Sequence, residues 1–148
     1  AKEWDISPMA NDAGWDMSNC DSSGLSHFTA FIDGLGPQRA VMEMEQFRIC
    51  SDGYDWHHVV GVYDGGRRSM RVYVDGHVAD HVVEGMAGSH IIPAKTILTI
   101  GGSIEGETNY QVFDDVAIWD RPLTDAEIAT LYNNGCGAEI RQLTLEKP

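Results

Sequence analysis

Glu43 and Glu45 lie two positions apart. In a strand, that spacing puts both carboxylates on one face, as a retaining glycosidase needs for its acid and its nucleophile. Solvated carboxylates on an open or edge face are the plainer reading, and no catalytic residue is assigned. His57 and His58 are adjacent, so a strand points them to opposite faces and they cannot share one metal ion. One is expected to be a hydrogen-bonded inner histidine and the other partly exposed. His77 and His81 stand four apart, about 13 Å along a strand, too far to share an ion. No Ser–His–Asp or Cys–His pattern carries a local signature. Gly65-Gly66 and Gly101-Gly102 read as turns rather than phosphate loops, because no helix follows either. Trp4, Trp15, Tyr54 and Tyr110 fall in loops or the entry segment and are the candidate ligand-binding residues. Their rings suit the apolar face of a sugar, with Asp, Asn and Arg taking its hydroxyls; the alternative is packing against their own domain.

The elements that must position these residues read as all-β. Sixteen glycines separate short β-branched and aromatic runs, the spacing of a sandwich or barrel. A short strand is expected at Trp15–Ser18, then one at Ser26–Ile32. A Gly34–Pro37 turn leads into a third strand over Arg39–Ile49. Trp56–Tyr63 is apolar on both faces, so it should sit inside a sheet with cover on both sides. Asp64-Gly65-Gly66 turns into Ser69–Val74. Asp75-Gly76 is a two-residue type I′ hairpin signal, and His77–Val83 pairs back to complete an antiparallel meander. A loop follows through Gly85–Pro93, then strands at Thr96–Gly101 and Gln111–Trp119. One helix is expected, with Thr124 and Glu127 as a capping box and Asn133-Asn134-Gly135 as its stop. Its apolar surface is Ala126, Ile128, Ala129, Leu131 and Tyr132. The tail Glu139–Leu145 alternates imperfectly, as a last strand would.

Composition narrows the function classes. At 148 residues one domain is the default, and 43% apolar residues suffice for a core. Ten Lys+Arg against 23 Asp+Glu give a net charge of −13, which makes nucleic acid and anionic lipid poor partners. It suits cations, Ca²⁺ among them; solubility alone is the alternative. No run approaches the ~20 apolar residues of a membrane span, so no membrane insertion is expected. No signal peptide is read at the start, and Ala1 suggests a processed, cloned or incomplete beginning. Cys20, Cys50 and Cys136 are too few and too widely spaced for a disulfide scaffold or a zinc site. One disulfide plus a free thiol, or three thiols, both fit.

Four motifs in order carry a resemblance. Trp56-His57-His58-Val59-Val60-Gly61-Val62-Tyr63-Asp64-Gly65 resembles the "WHHVA-YDG" strand of bacterial laminin-G-like domains, which have the concanavalin A-like jelly-roll fold. Arg71-Val72-Tyr73-Val74-Asp75-Gly76 is similar to their "L-YVDG" hairpin, and Leu98-Thr99-Ile100-Gly101-Gly102 to their "L-IGG" strand. Phe113-Asp114-Asp115-Val116-Ala117-Ile118-Trp119, followed by Arg121–Ile128, is similar to their "IDEVRIYNRALSxxEI" ending. The match covers Ser26 to Asn134. The family's opening strands are not found. Either residues 1–25 replace them or the chain is the C-terminal portion of a larger domain, with an edge left for a partner.

The resemblance implies an antiparallel jelly-roll β-sandwich with one short C-terminal helix. Residues 1–148 are read as one laminin-G-like domain, either closed by residues 1–25 or lacking its N-terminal strands. It implies a non-catalytic, extracytoplasmic recognition module for glycan or protein, whether secreted, periplasmic or on the cell surface. The alternative is a structural subunit or domain of a larger assembly, completed by a partner chain. A glycoside hydrolase is the minor alternative; laminarinase-type enzymes of this fold use Glu-x-Asp-x-x-Glu, and the middle Asp is lacking here. The resemblance also implies a structural calcium with Asp114 as ligand. The competing reading of Asp114 is a carboxylate satisfied by backbone N–H groups in a turn. Trp56 and Trp119 fall in the family's core strands and are expected to pack inside.

Overall fold

The computed structural model describes residues 13–18, 26–42, 55–79, 82–86, 88–95, 98, 100 and 112–137. The elements in chain order are β1 (Trp15–Ser18), β2 (Ser26–Ile32), β3 (Gly36–Met42), β4 (Val59–Asp64), β5 (Ser69–Val74), β6 (His77–Val78) and α1 (Asp125–Tyr132). Two antiparallel three-stranded sheets form, ordered β1-β2-β3 and β4-β5-β6. They face each other as a β-sandwich with one short C-terminal helix, the fold that the sequence predicts.

Alternation explains the layers. On β2 and β3, Phe28, Ala30, Ile32, Ala40 and Met42 share one face. They meet Met70, Val72 and Val74 of β5, with Val59 and Tyr63 of β4 packed alongside. Gly61 lies directly against Phe28: a Cβ there would lie 2.7 Å from the ring. Glycine is therefore the residue that lets the aromatic seat between the sheets.

The opposite face of the second sheet is buried too. Val60, Val62 and Tyr73 pack against Leu123, Ile128 and Leu131, with Trp119 partly covering the cluster. Thus β4 has cover on both faces, as its double apolar pattern predicts. Its expected place inside a sheet is taken by β5 among the described residues. The reason is turn chemistry: Asp75 (φ 50°) and Gly76 (φ 76°) adopt the positive φ values of a type I′ turn. They fold the next segment back along the far edge of β5. Pairing continues beyond β6, with the Ala79 N–H donating to Val72 O and with Met70 and Val83 exchanging two bonds.

Four segments differ from expectation or fall short of it. The third strand runs over Gly36–Met42 rather than from Arg39, and residues 43–50 lie outside the described residues. Of the Gly85–Pro93 segment, His90–Ile92 extends the first sheet past Gly14: the Ile92 N–H donates to Phe31 O at 2.8 Å, and the Asp33 N–H to His90 O at 3.0 Å. Residues 112–119 are not a strand and make no backbone hydrogen bond to another described residue. Of Thr96–Gly101, only Leu98 and Ile100 are described, and both are exposed. The tail over 139–145 lies outside the described residues.

The helix obeys its sequence signals. The Glu127 N–H donates to Thr124 Oγ1, and the Thr124 N–H donates to Glu127 Oε2 at 2.8 Å, a complete capping box. Arg121 forks onto the same carboxylate at 2.6 and 3.0 Å. Asn133, at φ 46°, ends the helix in the left-handed conformation. The buried positions are Ile128 and Leu131, whereas Ala126 and Ala129 are exposed. Hydrogen bonds from Arg121, then from the Thr124 backbone, lower the Glu127 pKa from 4.5 to about 2. The cap is therefore intact above pH 4.5 and is lost as pH falls toward about 2, because the unfolded carboxyl protonates first. Urea melts over that range should show acid destabilisation that is smaller in Glu127→Gln. Equal slopes in both proteins would remove Glu127 as a source of it.

Candidate functional site

A polar cluster sits where the entry to β4 meets the β5–β6 turn. Asp75 is in that turn because Asp tolerates positive φ, and the turn aims its carboxylate at the residues before β4. Its Oδ1 accepts the His58 backbone N–H at 2.9 Å, and its Oδ2 accepts from His57 Nδ1 at 2.7 Å. The Asp75 N–H returns a bond to His58 O at 2.9 Å. His77 Nδ1 donates to Asp75 O at 2.9 Å. The pair His57–Asp75 is largely buried.

His58 points to the helix side. Its ring stacks on Tyr132 with centroids 6.1 Å apart and planes 28° apart. Burial lowers its pKa below 6.5, and the nearby Asp75 charge offsets this only in part. Its buried Nδ1 has no hydrogen-bond partner among the described residues. The two histidines thus have different partners, the Asp75 carboxylate for the His57 ring and the Tyr132 ring for His58, and the chemistry they support is structural clamping. Among the described residues, no group of three His, Cys, Asp or Glu is placed to hold a metal ion.

The sequence-predicted site residues are scattered. Trp15 lies on edge strand β1, 41% exposed, with its ring 6.3 Å from that of Phe28. Trp4, Tyr54 and Tyr110 lie outside the described residues, as do Glu43, Glu45, His81, Cys20 and Cys50. Cys136 is an exposed free thiol. Asp114 is exposed, and its Oδ1 accepts the Asp115 N–H at 2.8 Å. Calcium needs six to eight oxygens, and the described residues around Asp114 do not make up such a set.

Trp56 corrects the expectation of a core tryptophan: it precedes β4 and is 67% exposed. The strand begins only at Val59 because the Asp75 carboxylate, not a ladder, takes the His58 N–H. Sequence reasoning missed it by extending the strand pattern back to residue 56. The second unanticipated feature is the exposed apolar segment 112–118, in which Val112 is 76% and Ile118 62% exposed. Phe113 and Val116 are exposed with them. No described helix is long and apolar enough to cross a membrane.

A laminin-G-type family model, described as the concanavalin A-like lectin/glucanases superfamily, matches residues 14–129. The chain belongs to this superfamily. The matched span begins just before β1 and ends within α1, so it takes in both sheets of the sandwich. No curated protein matches the chain. Among solved structures, it is similar to an S-layer domain-containing protein (residues 221–444) from Clostridium thermocellum. That match has 19% identity and a TM-score of 0.42, over 73% of this chain and 51% of the other. The chain thus spans about half the length of that structure.

Proposed function

We propose that the chain is a non-catalytic, extracytoplasmic β-sandwich module that serves as a structural domain or subunit of a larger assembly. The observation that carries this reading is the exposed apolar segment Val112–Ile118. Contiguous exposed apolar surface on a soluble domain marks a contact site. Asp114, Asp115 and Asp120 interrupt or flank it, and the chain carries −13 overall, so a partner with an apolar strip and a basic rim fits. Self-association is disfavoured by the same charge.

Native mass spectrometry of the protein isolated from its source tests this. A stable assembly well above 16.3 kDa is expected, and a denaturing spectrum separates a longer polypeptide from a non-covalent complex. Ile118→Asp should release the partner while leaving the melting temperature unchanged, since the side chain is already in water. A lone 16.3 kDa species would overturn the reading.

Glycan recognition is the second reading, favoured by the exposed indole of Trp56 beside the His57–Asp75 pair. Trp15 is the other described platform, and Trp4, Tyr54 and Tyr110 complete the set proposed from sequence. Retention on a glycan array that disappears in Trp56→Ala supports it. Calcium at Asp114 belongs to this reading, and a millimolar Ca²⁺ titration that leaves the melting temperature unchanged removes it.

A further inference from the structure

Three elements converge on His58: the entry to β4, the β5–β6 turn and the C-terminal end of α1. The turn is tied to His58 by two backbone bonds, one through the Asp75 carboxylate and one through the Asp75 N–H. Tyr132 stacks on the His58 ring and also lies over Gly76, where a Cβ would come within 3.0 Å of its Cδ1. The end of α1 therefore reaches the turn through one aromatic ring resting on one imidazole and one glycine. Beyond Tyr132, Asn133 and Asn134 are left-handed in a short 3-10 turn, closed by the Cys136 N–H to Asn133 O at 3.1 Å and the Gly137 N–H to Tyr132 O at 3.2 Å.

We propose that His58 is a pH-sensitive latch: uptake of a proton by its ring detaches the C-terminal end of α1 from the β5–β6 turn. A neutral imidazole carries one N–H and can stack on a phenol with at most that one donor to satisfy. An imidazolium must find an acceptor for each N–H, and the buried Nδ1 has none among the described residues. Moving the ring toward water supplies one and removes the surface on which Tyr132 rests.

The described contacts place Asp75, His57, His77 and Tyr132 around this ring. Asp75, from the turn, attracts a proton to His58, but its two carboxylate oxygens are engaged by the His57 ring and the His58 backbone. His57, on the other face of the chain, would strengthen its pair with Asp75 when charged, so it opposes release. His77 is bonded to the turn carbonyl. Tyr132, from the helix, stacks on the ring. Desolvation outweighs the Asp75 field at His58. Docking thus favours the neutral ring, and it weakens as pH falls below the ordinary histidine value of 6.5.

The test is NMR of the full chain from pH 7.5 to 5. The backbone amides of Leu131–Cys136 should shift with the His58 ring midpoint. Their hydrogen exchange, corrected for intrinsic rate, should rise about threefold or more, as expected of a local opening. In His58→Phe both responses should vanish. Tyr132→Ala, which uncovers the ring without touching it, should move the His58 midpoint up toward that of a solvated histidine. The proposal is overturned if His58 titrates with no change at Leu131–Cys136, if the response persists in His58→Phe, or if the midpoint is unmoved in Tyr132→Ala.

Discussion

Replacing Ile128 by alanine lowers the unfolding free energy by about 3 kcal/mol, within the range for truncating a fully buried isoleucine. Ile128 is fully buried between α1 and the outer face of the second sheet. Truncation there removes the contacts with Val60, Val62 and Tyr73 and leaves a void. The helix cannot settle into that void, because the Tyr73 hydroxyl donates to Asp125 at 2.7 Å and holds its first turn in place. For a domain of this size the melting temperature should fall by about 10 °C. Ala129→Ser, on the exposed side of the same helix, should stay within about 0.5 kcal/mol of the parent. Urea denaturation of the two variants makes the comparison. A loss below about 1 kcal/mol for Ile128→Ala would mean the helix is not packed on this sheet.

Asp75→Ala should be comparably severe for polar reasons. It leaves the His58 N–H and the His57 Nδ1–H without their carboxylate, each costing about 1–3 kcal/mol where water cannot replace it. It also forces a Cβ-bearing residue without a side-chain acceptor to hold φ 50°, a cost of about 1 kcal/mol. Asp75→Asn keeps an acceptor and the tolerance for positive φ, so it should lose least. Asp75→Gly relieves the backbone but not the lost bonds, so it should fall between them. Thermal melts should order the proteins as wild type, Asn, Gly, Ala. Equal stability of the Asn and Ala variants would show that the carboxylate does not clamp the entry to β4.

Much of the sandwich was legible because local rules and tertiary demands agree there. Trp15–Ser18, Ser26–Ile32 and Ser69–Val74 form strands at their expected bounds, since alternation, glycine punctuation and burial point the same way. The hairpin at Asp75-Gly76 and the capping box at Thr124 were readable for the same reason: each is a short-range geometry set by one or two side chains. The segment 112–119 was not. Its β-branched residues suggest a strand, but a strand exists only where another backbone offers bonds, and propensity does not report that. Trp56 failed similarly, because apolar alternation cannot show where a ladder gives way to a side-chain clamp.

What the sequence determined by itself is therefore the fold class, the antiparallel meander, the capped helix after Thr124 and the superfamily, all written in periodicity and in motifs of a few residues. The tertiary structure decided the rest. It set the partners of His57 and His58, the contact of Gly61 with Phe28, the seat of Tyr132 on His58 and the exposure of Val112–Ile118. These depend on residues far apart in the chain arriving at one place. Burial, desolvation and hydrogen-bond geometry are properties of that arrival, and no local pattern encodes them.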